Sequence, residues 1–144
     1  MFEIVMIHLN RADNNYNKIL KFDLNSSIFE DSDKVDTIDA FIFRFTKLQD
    51  YLGDKFFKEL LNALGEFKKN MPFIEILDRL EKLDIIKSSD KWLEYRQLRN
   101  SLTHEYPDEY EYFIENIKLS LLSFNEMKID IENIKRFITL KKLI

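Results

Sequence analysis

The chain has 144 residues, 45% of them hydrophobic, and a formal net charge of −4 with an isoelectric point near 5.3. That length suits one domain, 1–144, which buries roughly 68–70% of the surface its unfolded form exposes, and the acidic balance excludes holding nucleic acid by broad phosphate neutralisation, so any RNA contact is expected to be local. The absence of cysteine rules out disulfides and thiolate metal sites, and two glycines with two prolines are too little punctuation for an all-β fold, which leaves helix as the default.

The opening Met1-Phe2-Glu3-Ile4-Val5-Met6-Ile7-His8 is apolar but short and lacks a basic leader and a small-residue cleavage site. No apolar run approaches the ~18–20 residues of a membrane span, so a soluble cytoplasmic protein with no membrane partner is expected. Helical composition covers about 3–22, weakened by Asn14, Asn15 and Asn17. Turn and cap formers crowd 23–37, which reads as a loop ending in a helix N-cap.

From about 34 to 64, Ile38, Phe41, Phe45, Leu48 and Leu52 repeat at steps of 3, 4, 3 and 4, and Phe56, Leu60, Leu61 and Leu64 continue the stripe. Gly53 is either a weak point costing about 1 kcal/mol or a site of close helix approach. Phe43 and Phe57 lie off the stripe and imply a second buried surface or a partner. Gly65 to Met71 is a break, Pro72 suits the first turn of a third helix carrying Phe73, Ile76, Leu77, Leu80 and Leu83, and Ser88-Ser89-Asp90 supplies caps for a fourth over about 90–105. Pro107 places a corner at Glu105-Tyr106-Pro107 and opens a last helix, with Asp108, Glu109 and Glu111 at its N-terminus. Its stripe runs Phe113, Ile117, Leu121, Phe124, Met127, Ile131, Ile134 and Ile138. The expected fold class is all-α, an antiparallel helical bundle of four main helices plus one shorter helix.

On the fourth helix, ~100° per residue brings Tyr95, Leu98 and Leu102 to one face, the core side. Arg96, Asn100 and His104 follow at i, i+4 and i+8 on the other, with Thr103 beside them. Arg99 and His104 are about 140° apart on an ideal helix, too far to grip one small group; two copies of this face across a two-fold axis surround one phosphate with two arginines and two histidines. The macrodipole at the helix C-terminus favours the imidazolium of His104 while Arg96 and Arg99 disfavour it, and the balance stays open. Imidazole moves protons near neutral pH and a guanidinium forks onto two phosphate oxygens, the minimum for transesterification at an RNA phosphodiester with no metal or cofactor. The same residues also suit an ordinary solvated helix face. Asp50 either braces an arginine of this segment or hydrogen-bonds within the bundle, and His8 has no companion at ligand spacing.

Arg99-Asn100-Ser101-Leu102-Thr103-His104-Glu105-Tyr106 resembles the Arg-x4-His signature of HEPN domains, in the HepT-like form Arg-Asn-x-x-x-His-x-Tyr. Phe45 through Gly53 is similar to the second-helix pattern of that group, and Trp92 through Arg99 to the approach to the motif, so the likeness spans roughly residues 38–125. The resemblance implies a homodimeric helical bundle that cleaves RNA without metal, with Arg99 stabilising the phosphate, Asn100 as a polar helper and His104 as the catalytic histidine. It further implies a toxin paired with a minimal nucleotidyltransferase antitoxin that adenylylates the motif tyrosine, here Tyr106. Tyr106 reads alternatively as a corner residue packed on the bundle, and the whole protein as a non-catalytic nucleotidyltransferase-binding subunit of the same fold.

Overall fold

The first helix stops sooner than its composition suggests. In the computed structural model, which describes residues 1–103 and 109–142, α1 (Phe2–Ile19) yields at Leu20, and the Lys21 and Phe22 N–H groups donate to the carbonyls of Lys18 and Ile19 in i→i+3 turns. The expected loop at 23–37 is also shorter. Asn25 accepts from the Ser27 N–H at 3.0 Å to start a 3₁₀ turn (Ser26–Glu30), and Asp31 accepts from the N–H groups of Asp33 and Lys34 at 3.1 and 3.2 Å. With two orphan donors satisfied by Asp31, α2 (Ser32–Tyr51) begins at once, and residues 32–37 are helix rather than loop.

The long periodic stretch is one rod with a defect in it. After α2 the turn Leu52–Phe56 is π-helical, the Phe57 N–H donating to the Leu52 carbonyl, and α3 (Phe57–Ala63) completes the rod. The wider turn holds an extra residue, so everything downstream is rotated relative to a straight helix. Phe57, off the stripe by sequence periodicity, is thereby fully buried within its own chain beside Phe56 and needs no partner, whereas Phe43 stays 51% exposed. Gly65, at φ 72°, ends the rod: its N–H donates to the Asn62 carbonyl at 3.0 Å and the Glu66 N–H to that of Leu61 at 2.8 Å, the Schellman arrangement that favours glycine.

Pro72 directly precedes α4 (Phe73–Lys82), and Ser88 Oγ accepts from the Lys91 N–H at 3.3 Å to cap α5 (Ser89–Thr103). The last helix is α6 (Tyr110–Lys141). Neighbours are antiparallel. Phe2 meets Phe56 at a tilt across α1 and the rod, Trp92 meets Asp130 and Tyr95 meets Glu126 across α5 and α6, and Asp13 pairs with Lys128 across α1 and α6. The result is an antiparallel bundle of four main helices (α1, the α2–α3 rod, α5, α6) plus the short α4, with one hydrophobic cluster through all of them. Phe41, Phe45 and Phe124 form its aromatic centre, and Phe57, Trp92 and Tyr95 an edge-to-face chain beside it. Among the described residues there is no strand, and no helix is long and apolar enough to cross a membrane.

Asp130 fastens α5 to α6 from inside. It is 5% exposed, accepting from Trp92 Nε1 at 2.8 Å and from the Lys87 N–H at 3.3 Å. Burial raises its pKa above the usual 3.8, and the two hydrogen bonds only partly offset that. The native state therefore binds this proton at higher pH than the unfolded chain does. Its contribution to stability grows as pH falls through the raised pKa and levels off below 3.8. Asp130→Asn keeps an acceptor for Trp92 and removes the titration, so urea melts at a series of pH values are expected to show wild type gaining on the variant as pH falls into the carboxylate range. A pH-independent gap between the two would contradict this.

Candidate active site

Two helices meet where the π turn widens the rod. Gln49, at the end of α2, is a polar residue in a buried position, and its Nε2 donates to the Tyr95 carbonyl at 3.2 Å, tying the rod to α5 one turn before Arg99. Asp50, the next residue, accepts a hydrogen bond from Arg99 Nη1 in an ion pair with that arginine. Asn100 Oδ1 accepts from Arg99 Nε at 3.3 Å and Nη2 at 3.0 Å. Three of the five guanidinium N–H groups are thus engaged, leaving one on each terminal nitrogen. The Arg99 side chain is 16% exposed and that of Asp50 42%. Of the residues expected to face outward, Arg96 and Asn100 do, but Arg99 is drawn inward by its partners across the helix pair, and Leu98 is only partly buried.

The remaining predicted residues divide. Thr103 turns its hydroxyl back onto its own helix, donating to the Asn100 carbonyl at 3.0 Å, which leaves it outside the cluster around Arg99. Arg96 lies over the ring of Phe73, its guanidinium carbon 4.7 Å from the centroid. That ring packs closely on Gly53: a Cβ there would sit 3.1 Å from Phe73 Cε1, so a side chain at this position requires the ring to move back by a few tenths of an ångström. Close approach, not weakness, is what Gly53 provides. His104, the candidate catalytic histidine, and Tyr106, the candidate modification site, lie outside the described residues, as does the corner Glu105-Tyr106-Pro107. His104 follows Thr103, the last residue of α5, directly in the chain.

These groups border a cleft of about 200 Å³. Phe57, Trp92, Ile76 and Met71 supply its apolar lining, Asp50 and Asp54 its carboxylates, and Lys58, Arg96 and Arg99 its cations. Three cations against two acids make the cleft locally positive on a chain of net charge −4. Such a site is able to orient a guanidinium and receive a small anion beside the aromatic rings of Phe57 and Trp92. Among the described residues, no three His, Cys, Asp or Glu side chains are grouped to hold a metal ion.

Sequence reasoning did not single out Asp54, Lys58 or Phe73. The i, i+4 spacing of Asp50 and Asp54 was a visible sign for the first; Phe73 was indistinguishable from an ordinary core residue. No protein-family model, curated protein or solved structure matches this chain.

Proposed function

We propose that this protein is a metal-independent endoribonuclease of the HEPN, HepT-like kind: the cytoplasmic toxin of a toxin–antitoxin pair, acting as a homodimer and silenced by a minimal nucleotidyltransferase. The observation that carries the reading is the Arg99 guanidinium, held between Asp50 and Asn100 at a locally positive cleft, five residues before His104. A guanidinium already oriented by a carboxylate and an amide loses little further freedom on meeting a phosphate, and its two remaining N–H groups suit two phosphate oxygens. In the reaction the RNA 2′-oxygen attacks the adjacent phosphorus, the bond to the 5′-oxygen breaks, and a 2′,3′-cyclic phosphate and a 5′-hydroxyl result. His104 takes the 2′-hydroxyl proton, its counterpart in the second protomer protonates the departing 5′-oxygen, and Arg99 stabilises the charge that builds on the phosphorane oxygens.

Silencing follows the same electrostatics. Transfer of AMP from ATP to the Tyr106 hydroxyl forms an O–P bond and releases pyrophosphate and the phenolic proton, leaving a phosphodiester two residues from His104 that competes for Arg99. A second reading, a non-catalytic subunit that binds the nucleotidyltransferase, is favoured by one feature: Asp50 already neutralises Arg99, so an RNA phosphate must share that guanidinium with a carboxylate.

One assay separates the two. Wild type and His104→Ala are incubated with RNA in chelator. Cleavage is expected from wild type and to be at least about a hundredfold weaker for the variant; equal residual cleavage by both ends the ribonuclease reading. Incubation with the nucleotidyltransferase and ATP is expected to add the mass of AMP to wild type and nothing to Tyr106→Phe.

A further inference from the structure

The rod carries a second pattern on its outer side. Arg44, Lys47 and Tyr51 follow at steps of 3 and 4 on one face of α2, Lys55 in the π turn borders the same depression as Lys47 and Tyr51, and Lys58, beyond that turn, borders the Arg99 cleft. None of the four cations has an acidic partner within ion-pair distance among the described residues. Beside them Phe43 is half-exposed, with the Arg44 guanidinium carbon 5.1 Å and Lys47 Nζ 5.5 Å from its ring centroid.

Between this stripe and α1 lies a shallow depression of about 210 Å³ bordered by His8, Lys47, Tyr51 and Lys55. The His8 and Tyr51 rings are 6.1 Å apart, and His8 Nδ1 is buried with no hydrogen-bond partner. Burial, then the nearby Arg44, Arg11 and Lys47, hold the imidazole below its ordinary pKa, so it is a neutral group among cations. The depression shares Asp50 and Asp54 with the Arg99 cleft. Arg99 answers the charge of Asp50, while Lys55 borders the depression and Lys58 the cleft.

Cations alternating with aromatic rings along a helix, in a depression that shares lining residues with the Arg99 cleft, have the chemistry of a surface for single-stranded nucleic acid. We infer that the outer stripe of the rod, with His8, is the track that holds the single-stranded RNA leading into the cleft. The inference rests on the ribonuclease reading for the identity of its ligand, and it adds local phosphate contacts to those of the Arg99 cleft.

The test uses the His104→Ala protein, in which His8 is the sole histidine, and two labelled unstructured oligoribonucleotides: one long enough to span the rod, one reaching only the cleft. Anisotropy titrations over a range of salt are expected to show that Lys47→Ala/Lys55→Ala weakens binding of the long RNA about tenfold and lowers the log–log salt slope by about 1.4, roughly 0.7 per lost phosphate contact. Binding of the short RNA is expected to be unchanged, the Lys47→Arg/Lys55→Arg variant to bind like the parent, and the His8 ring resonances to move only with the long RNA. Unchanged affinity and slope in a double-alanine variant of normal helicity overturn the track. If stripe-dependent binding occurs but wild type cuts no RNA, the track stands and the ribonuclease reading falls. Cleavage with no stripe dependence has the opposite meaning.

Discussion

Arg99→Ala is expected to lower RNA cleavage by about 10²–10³-fold while leaving the fold intact. Removing one preorganised donor aimed at developing charge costs about that much in other acyl- and phosphoryl-type sites, because the protein has already ordered the group and excluded part of its water. Stability is expected to change by no more than about 1 kcal/mol: the ion pair with Asp50 is lost, but that carboxylate is 42% exposed and water replaces the guanidinium. Arg99→Lys is expected to recover little. A lysine ammonium is a point charge on a flexible stem and does not reach Asp50, Asn100 and a phosphate at once. Asp50→Asn separates orientation from charge: loss of the brace lets the guanidinium wander, and a misplacement of about 1 Å is enough for a fall of up to about 10²-fold in kcat. Rates are read from single-turnover cleavage of a labelled RNA. An Arg99→Ala protein that cuts as fast as wild type would remove this residue from the chemistry.

The largest expected effect on stability is that of Phe57→Ala, a loss of about 3–5 kcal/mol for truncating a fully buried aromatic side chain. For a chain of this size that corresponds to a drop in Tm of roughly 10 °C or more. Phe57 packs edge-on against Trp92, with ring centroids 5.3 Å apart, and it also lines the cleft, so the cavity opens directly behind Arg96 and Arg99. Trp92 is the single tryptophan, and its emission is expected to shift as water reaches the gap. Thermal melts followed by this fluorescence measure both effects. The result bears on the rod as well as on the core. On a straight helix Phe57 lies off the buried stripe and its truncation costs little, so a change below about 1 kcal/mol would mean that the π turn does not redirect it inward.

The parts of the fold that were legible are those set by neighbours three or four residues away. The stripe from Ile38 to Leu52 and that from Ile117 to Ile138 are buried as their spacing predicts, and Gly65 and Ser88 end and start helices for local reasons of φ and capping. Boundaries slipped where a single side chain decided them: Asp31 capped α2 and carried 32–37 into the helix. Phe57 is buried, the first of the two readings its off-stripe position left open, and the π turn, which a constant period does not foresee, is what rotates that part of the rod. At the candidate site, residue types and spacing single out the segment from Arg96 to His104, of which Arg96 to Thr103 is helical. Of the two roles open to Asp50, bracing an arginine of this segment or hydrogen-bonding within the bundle, the structure shows the first, with Arg99 as the arginine; which arginine it meets depends on how the rod packs on α5 and is not written in either helix's local pattern.

The amino-acid order alone therefore determined the all-helical class, the succession of helices and the placement of the Arg96 and Arg99 cations and the Asn100 amide on one helix, because hydrophobic period, caps and breakers act over a single turn. Tertiary structure decided which of those groups meet: Gln49 on the Tyr95 carbonyl, Asp50 on Arg99, and Phe73 over Gly53 with Arg96 above it. Those pairings span tens of residues, and they exist only because packing the rod against α4 and α5 brings their side chains within reach, which no periodicity along one helix encodes.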